Sequence, residues 1–210
     1  GRLLVDRYLL KQGINPQKIG NLTRLAIVGN SGMGGLTYEP DYHFEDTSSK
    51  KLDLDSIALQ CAQILKTDYS EDLDELFRLG GSSGGARPKI LTVIDGEEWM
   101  IKFPNSQDSK NIGKEEYEYS LCAKACGLQM EETRLFPSKV CSGYFGTRRF
   151  DRYRTKEHGT GKRHMISVSG LLETSHRIPN LDYDILMKLT LELTKDFAEV
   201  EKMFRLMCFN

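Results

Sequence analysis

Long apolar runs are missing from this sequence. None approaches the roughly 18–20 residues that a membrane-spanning helix needs. The first residues include Arg2, Asp6 and Arg7, and the apolar core of a signal peptide is absent there. We therefore expect a soluble, cytoplasmic protein with no membrane partner.

An excess of one charge is also missing, since 29 Lys and Arg stand against 30 Asp and Glu. Attraction to nucleic acid would then need a local basic patch. One cluster exists, but Asp151 and Glu157 interrupt it, so a solvated loop is the favoured interpretation and no direct nucleic-acid contact is predicted. The cluster comprises Arg148, Arg149, Arg152, Arg154, Lys156, Lys162 and Arg163, with Phe150 and Tyr153 among them.

No two cysteines have the C-x-x-C spacing, and their number, five, is odd. A disulfide framework and a zinc site are both disfavoured, and we expect the thiols to be reduced and buried. Cys122 and Cys126 share a helix face, yet no His or Asp completes a metal set near them. The histidines at 158, 164 and 176 are scattered along loops and are assigned no catalysis.

A glycine-rich turn over residues 80–89 is the most informative feature present. It leads into a predicted hairpin, with strands at 90–94 and 99–103 and a turn at Asp95-Gly96. Consecutive N–H groups of such a loop can converge on phosphate oxygens, and Lys102 on the second strand would add a positive charge there. This layout is typical of the lid over a nucleotide, although most Gly/Ser clusters are plain surface loops.

The next predicted helix, residues 114–126, strengthens the nucleotide interpretation. A flexible lysine needs a restraint, and a carboxylate on a neighbouring helix supplies one. Glu116 lies 14 residues after Lys102, beside Glu115 and Glu118. The apolar spacing of Tyr117, Leu121 and Ala125 suggests which face of this helix is buried.

The remaining segments are described only coarsely by the sequence. Helices are predicted at 3–12, 54–65 and 72–79 and from 182 onward, and a hairpin is predicted within 134–150. Residues 153–165 are basic and contain glycine, so a mobile loop is expected. A second glycine-rich stretch, 29–35, is interpreted as a turn because no strand lysine and helix glutamate follow it at suitable distances.

Several short motifs follow one another along the chain: Ser82-Ser83-Gly84-Gly85-Ala86-Arg87-Pro88-Lys89, Ile101-Lys102-Phe103-Pro104, Glu116-Tyr117, Ala123-Lys124 with Gly127-Leu128, and Arg149-Phe150-Asp151-Arg152. In this order they resemble the HipA family of bacterial serine/threonine kinases. The resemblance extends over most of residues 24–210. It implies an α+β fold with a protein-kinase-like nucleotide lobe, a small antiparallel sheet plus a helix, joined to an N-terminal subdomain and the first helices of the helical lobe.

The resemblance also implies how the phosphates of ATP are held. Gly84, Gly85 and Ala86 match the flexible phosphate loop, Lys102 matches the lysine that contacts the phosphates, and Glu116 matches the helix glutamate. Lys102 and Glu116 are therefore the expected catalytic residues within this chain. The expected cofactors are ATP and Mg²⁺.

The adenine site and a regulatory site follow from the same resemblance. The family's hinge meets adenine through backbone groups at the positions of Arg148, Arg149 and Phe150, with Asp151 at the crossing into the helical lobe. Ser82 falls where autophosphorylation switches the enzyme off, with Ser83 as a competing assignment. A phosphate beside an anion-binding loop would repel the phosphates of ATP.

One departure from the family is marked. The Asp-Asp-His motif with its following Asn, and the later metal-binding Asp, are absent. We therefore expect an N-terminal subdomain at 1–66, a nucleotide lobe with the glycine-rich loop at 67–150, and an incomplete helical lobe at 151–210. The magnesium ligands are expected beyond Asn210, and this segment alone is expected to be inactive.

Two functions remain open at this point. The first is a serine/threonine kinase acting on a protein hydroxyl, the toxin of a toxin–antitoxin module, with a HipB-like DNA-binding antitoxin as partner. The second is a non-catalytic HipA-like module that only binds an antitoxin or regulates a toxin.

Overall fold

A computed structural model of the protein describes residues 9, 13–42, 53–65, 87–105, 107–155, 159–175 and 181–210. The described residues combine helices with an antiparallel sheet, which confirms the α+β fold class. They fall into two compact units, one within 1–117 and 131–165 and the other within 118–130 and 166–210. The predicted helices at 3–12 and 72–79 lie outside the described residues, apart from Leu9.

The elements are numbered here in chain order. After a 3₁₀ turn, Pro16–Lys18, the helices are α1 Asn21–Val28, α2 Leu54–Leu65, α3 Ile112–Ala125, α4 Val168–Leu171, α5 Tyr183–Thr194 and α6 Phe197–Phe209. The strands are β1 Lys89–Ile94, β2 Glu97–Lys102, β3 Thr133–Phe136, β4 Tyr144–Arg148, β5 Arg152–Arg154 and β6 Thr160–Lys162.

The main sheet has four antiparallel strands in the order β1-β2-β4-β3. Asp95 and Gly96 join β1 to β2 with φ of 54° and 75°, the backbone of a tight two-residue hairpin turn. This turn fixes a register in which Lys89 lies opposite Lys102. Both predicted hairpins, at 90–103 and within 134–150, are confirmed.

The hydrophobic core lies between this sheet and α2. Side chains alternate along β2, so Trp99 and Ile101 face the core with Phe103 beyond them, while Glu98, Met100 and Lys102 face the other way. The buried cluster contains Ile57, Cys61, Ile90, Trp99, Ile101, Phe103, Phe136 and Tyr144. Residues 54–65 thus share a core with the sheet, although the predicted division places them in the N-terminal subdomain, 1–66, and the sheet in the nucleotide lobe, 67–150. That three-part division stays a prediction.

The first turn of α2 is held by hydrogen bonds to the β3–β4 connection. The Asp55 carboxylate accepts from the Ser138 hydroxyl at 2.6 Å, the Tyr144 hydroxyl at 2.8 Å and the Lys139 N–H at 2.9 Å. The Ser138 bond is the largest of the influences that lower the pKa of Asp55 below its ordinary value. Asp55 therefore fixes α2 on the sheet.

Part of the segment 153–165, which the sequence predicts to be a mobile loop, forms a hairpin instead. β5 and β6 form an antiparallel pair in which Tyr153 lies opposite Gly161, and the Thr155 N–H donates to the Gly159 carbonyl at 3.0 Å. The strands are too short and too polar to show an apolar alternation in the sequence. Residues 156–158 lie outside the described part of the chain.

The second unit contains the end of α3 with α4, α5 and α6. Asp182 and Asp196 cap α5 and α6 by accepting from the N–H groups of Ile185 and Ala198. Tyr119 contacts Phe209, with ring centroids 4.8 Å apart. No side chain of α5 or α6 is fully buried, and Leu193, Phe197 and Phe204 are exposed.

The predicted buried face of α3 is wrong. Ser120 and Ala123 are buried, whereas Leu121 and Ala125 are exposed and Tyr117 is half-buried. The residues that pack are small ones, which an apolar-periodicity argument passes over.

All five cysteines are free, but the expectation that they are buried holds only for Cys61. Burial in the core raises the pKa of the Cys61 thiol to about 12. Cys122, Cys126 and Cys208 are exposed, because the outward faces of α3 and α6 carry them.

Among the helices that the structure describes, none has the length and apolar character needed to cross a lipid bilayer.

Candidate functional site

Lys102 and Glu116 form an ion pair at the end of β2. β2 presents Lys102 on the sheet face away from the core, and the first turns of α3 bring Glu116 to the same place. The Lys102 ammonium also lies 5.3 Å from the ring centroid of Phe145. The structure thus brings together the two residues that the sequence predicted as a pair.

A glycine at position 113 lets α3 approach the sheet closely enough for this contact. A Cβ at Gly113 would lie 2.2 Å from the Gly143 carbonyl oxygen and 3.2 Å from the Phe145 nitrogen. Both are backbone atoms, which cannot move aside cheaply. Gly113 therefore sets the distance from which Glu116 reaches Lys102.

Arg87 adds a second cation to Glu116, a contact that the sequence analysis missed. Its guanidinium donates to Asp108 at 2.9 and 3.2 Å and lies 3.5 Å from the Glu116 carboxylate. The Arg87 bond is the largest influence that lowers the pKa of Asp108. Because Arg87 lies two residues before β1, these bonds tie the start of the hairpin to the start of α3.

Lys89 is the third cation at this end of the sheet. It lies directly opposite Lys102 across β1 and β2, so both side chains leave the same face. Partial burial, and then the nearby charge of Lys102, lower the pKa of Lys89, while Glu116 acts in the opposite direction. These three cations are balanced by Asp108 and Glu116, which contact Arg87 and Lys102, and by Glu115, whose charge also acts on Arg87. The two lysine ammonium groups are the ones that could contact an anionic group such as a phosphate.

The predicted phosphate loop itself lies outside the described residues. This applies to Gly84, Gly85 and Ala86, and to Ser82 and Ser83. Their roles stay predictions.

The predicted adenine-binding segment, residues 148–151, follows β4 directly. Arg148 is the last residue of β4 and lies 3.4 Å from Glu131, and the Phe150 side chain is 47 % exposed. The Arg149 N–H donates to the Glu98 carbonyl at 2.9 Å, which joins this segment to β2. Contact with adenine through the remaining backbone groups stays a prediction.

Asp151 lies at the centre of a buried cluster of charges. Its carboxylate, 0 % exposed, accepts from Arg149 at 2.8 and 3.0 Å, from Arg152 at 2.8 Å and from the Gly34 N–H at 2.7 Å. Glu98 lies 3.2 Å from Arg149 and 3.3 Å from Arg152. Two guanidinium groups thus meet two carboxylates, and the cluster is neutral overall.

The pKa of Asp151 reflects this arrangement. Burial alone would raise it, but the bonds from Arg149 and from the Gly34 N–H, with the charges of Arg149 and Arg152, outweigh burial and lower the pKa below its ordinary value. Asp151 is therefore a carboxylate at neutral pH.

The second glycine-rich stretch, residues 29–35, presents carbonyl groups to this cluster. Arg149 and Arg152 donate to the Gly32 carbonyl at 3.1 and 3.0 Å, and Arg152 also donates to the Gly34 carbonyl at 3.1 Å. Lys162 donates to the Asn30 carbonyl at 2.9 Å. Carbonyls that accept from cations are the reverse of a phosphate loop, in which N–H groups converge on an anion.

The basic cluster weighed for nucleic-acid contact is largely neutralised. Arg148 pairs with Glu131, Arg154 with Glu97 at 2.6 Å, and Arg149 and Arg152 with the buried carboxylates. A cavity of about 300 Å³ beside residues 148–154 is lined by both signs of charge. This mixture does not resemble the uninterrupted positive surface that binds phosphate backbones.

No group of three His, Cys, Asp or Glu side chains in the described ranges could hold a metal ion.

Sequence reasoning paired Lys102 with Glu116. It named Arg87, Lys89 and Arg152 within motifs without giving them a role in the site, and it passed over Glu98. The alternation Arg149-Phe150-Asp151-Arg152 indicates a local ion-pair network. Glu98 gave no comparable signal, because it stands beside Glu97 at the start of β2, where two glutamates are typical of an exposed strand end.

Comparisons with known proteins identify a family model and a similar solved structure. A family model described as the HipA-like C-terminal domain matches residues 81–210, more than half of the chain. No curated protein matches the sequence.

A solved structure from Shewanella oneidensis MR-1, described as the toxin–antitoxin system HipA, HipB and operator DNA complex, has a similar fold. The TM-score is 0.65 at 16 % sequence identity, and the alignment covers 100 % of this chain and 56 % of the other. The chain thus spans little more than half the length of the chain that it matches.

Proposed function

The chain belongs to the HipA-like C-terminal domain family, and we propose that it carries the nucleotide lobe of a HipA-like serine/threonine protein kinase. Membership confirms the family expected from the sequence. In this proposal the whole kinase transfers the γ-phosphate of ATP to a protein hydroxyl and is the toxin of a toxin–antitoxin module. The observation that carries the proposal is the ion pair between Lys102 and Glu116.

This ion pair gives Lys102 the restraint that phosphate binding requires. An ammonium on four methylene groups samples many positions, and a fixed carboxylate reduces them before the nucleotide arrives. When Lys102 turns toward a phosphate, Glu116 keeps a cationic neighbour in Arg87 at 3.5 Å. The Glu116 carboxylate therefore still has a positive charge beside it when the nucleotide is bound.

The other predicted residues complete the nucleotide site in this proposal. Gly84, Gly85 and Ala86 donate backbone N–H groups to the phosphates, and the backbone of residues 148–151 meets the adenine. Magnesium, when bound, would offset charge on the phosphates. Since the described residues offer it no set of ligands, we assign no step to it.

Replacement of Lys102 with methionine tests the proposal. We expect the affinity for ATP to fall about 10- to 100-fold, because a hydrogen bond between charged groups contributes about 1.5–3 kcal/mol. Glu116→Gln is expected to give a smaller loss, since it leaves Lys102 in place but unrestrained. Titration of isotopically labelled protein with ATP by NMR measures both, including weak binding.

Lys188→Met is the matched control, because the Lys188 side chain is 75 % exposed in the second unit and pairs only with Asp184 among the described residues. It should bind ATP as the unchanged protein does. Equal affinities for the unchanged protein and Lys102→Met would contradict the proposal.

We further propose that these 210 residues alone transfer no phosphate. The sequence contains no Asp-Asp-His motif with a following Asn, so no catalytic base is available and charge on the transferred group is not offset. In the whole kinase, Ser82 is the proposed regulatory phosphosite, with Ser83 as the alternative. Incubation with radiolabelled ATP should label the unchanged protein no more than Lys102→Met, and strong labelling of the unchanged protein alone would disprove this.

A HipB-like DNA-binding antitoxin is the proposed partner, supported by the similar solved structure, whose description includes HipB and operator DNA. A second candidate function, a non-catalytic partner-binding module, is favoured by one observation. Phe197 and Phe204 of α6 are 66 % and 51 % exposed, as for a surface that another protein covers. Antitoxin binding without ATP binding would select this second candidate.

A further inference from the structure

We propose that the loop of residues 29–35 positions the backbone of residues 148–151, and with it the adenine end of the nucleotide, through Asp151, Arg149 and Arg152. This inference rests on the proposed nucleotide site. It extends that site to a part of the chain that precedes the family match at residues 81–210. No role was assigned to this loop by the sequence analysis.

The first support is the set of hydrogen bonds between the loop and residues 149–152. The Gly34 N–H donates to Asp151 at 2.7 Å, and the Gly32 carbonyl accepts from both Arg149 and Arg152. Arg152 also reaches the Gly34 carbonyl. Every one of these bonds joins a backbone group to a charged side chain, the stronger class of hydrogen bond.

The second support is that other hydrogen bonds, which do not involve residues 148–152, also hold the loop in place. The Gly29 N–H donates to the Leu25 carbonyl at 2.9 Å, which continues α1, and the Asn30 N–H donates to the Asp41 carboxylate at 3.0 Å. The Tyr38 N–H returns to the Gly29 carbonyl at 3.3 Å. A loop anchored at its own ends can restrain the segment that it contacts.

The third support is that the loop and Lys102 act at different ends of β2. Glu98 contacts Arg149 and Arg152 on the same sheet face as Lys102, and four residues of strand separate the two by about 13 Å. Displacement of the loop should therefore weaken contact with the adenine and leave contact with the phosphates intact. ATP has both groups, whereas inorganic tripolyphosphate has only the phosphates, so comparison of the two ligands distinguishes the two contacts.

Gly34→Ala displaces the loop without removing a charge. Gly34 has φ of +80°, which disfavours any residue with a Cβ, and the added Cβ would lie 3.2 Å from the Met165 Cβ and 3.3 Å from the Met165 nitrogen. Gly20→Ala is the matched control, because Gly20 has φ of −71° and no atom within 4 Å of the added Cβ.

The test compares the affinities of these variants for ATP and for tripolyphosphate by NMR titration. For Gly34→Ala we expect the affinity for ATP to fall about tenfold, the loss of one hydrogen bond to the base, with the affinity for tripolyphosphate unchanged. The backbone N–H at position 34 should also exchange with solvent faster in Gly34→Ala than in the unchanged protein, because its bond to Asp151 is weakened. If Gly34→Ala does not fold, Lys162→Met removes the bond to the Asn30 carbonyl and should give a smaller loss of the same kind.

Three results would overturn the inference. They are an unchanged affinity of Gly34→Ala for ATP, an equal loss for ATP and tripolyphosphate, and a loss of the same size in Gly20→Ala. If the unchanged protein binds neither probe, the proposed function fails and the inference fails with it. If the unchanged protein binds both and Gly34→Ala binds both equally well, the inference alone fails.

Discussion

Asp151→Asn is expected to lower the free energy of unfolding by about 3–5 kcal/mol, the cost of removing one partner from a buried ion pair. The substitution leaves Arg149 and Arg152 with Glu98 as their remaining carboxylate. It also weakens the bond from the Gly34 N–H. The free energy of unfolding of a small domain is only about 5–15 kcal/mol, so a loss of this size removes a large fraction of it.

Urea denaturation followed by the fluorescence of Trp99, the only tryptophan, measures this loss in the unit that contains the sheet. Asp95→Asn is the matched control, because Asp95 is 76 % exposed and pairs with Arg134 at 3.1 Å on the surface. It should cost less than about 1 kcal/mol. Similar losses in the two variants would show that the buried cluster has no special weight.

The effect of pH on stability should change in the same variant. The folded pKa of Asp151 is lowered, so its stabilising contribution is complete above the unfolded value of about 3.9 and is lost as the pH falls through the lower folded pKa. Asp151→Asn removes this contribution at every pH. Its stability should therefore fall less steeply below about pH 4 than that of the unchanged protein.

Trp99→Ala is expected to lower the free energy of unfolding by about 3–5 kcal/mol, by opening a cavity between the sheet and α2. Trp99 is 1 % exposed, and its ring lies edge-on to Phe136 with centroids 5.4 Å apart. The indole N–H has no hydrogen-bond partner among the described residues. The cost therefore arises from packing, with no hydrogen bond to lose.

Circular dichroism during urea denaturation measures this variant, because the substitution removes the only tryptophan. Val93→Ala in β1 is the control, with Val93 63 % exposed, and should change stability by less than about 0.5 kcal/mol. Cys61 shares the core with Trp99, so its thiol should also become more reactive in Trp99→Ala. A loss below about 1 kcal/mol would show that α2 and the sheet do not depend on this contact.

Features with local signals could be predicted from the sequence. The hairpin of β1 and β2 follows from Asp95-Gly96 between two apolar runs, and the limits of α2 follow from its apolar spacing. The pairing of Lys102 with Glu116 required the order of loop, strand and helix, because two distant residues carry no direct signal of contact. Each of these rests on a short stretch of chain.

Features that depend on distant packing could not be predicted. The sequence gives no indication that residues 29–35 contact residues 149–152, since about 117 residues separate Gly34 from Asp151. The buried face of α3 was misjudged because Gly113, Ser120 and Ala123 pack through small size, which hydrophobic periodicity ignores. The β5–β6 hairpin was missed because charge pairing holds its arginines in place.

The stretch of β2 from Glu98 to Lys102 limits which insertions and deletions this protein can accept. One inserted or deleted residue there would turn either Glu98 or Lys102 toward Ile101 and Phe103, since successive side chains point to opposite faces. Two added residues would restore the faces but lengthen the strand by about 7 Å. Insertions and deletions in this stretch would therefore either turn one of these two side chains to the wrong face or change the distance between Glu98 and Lys102.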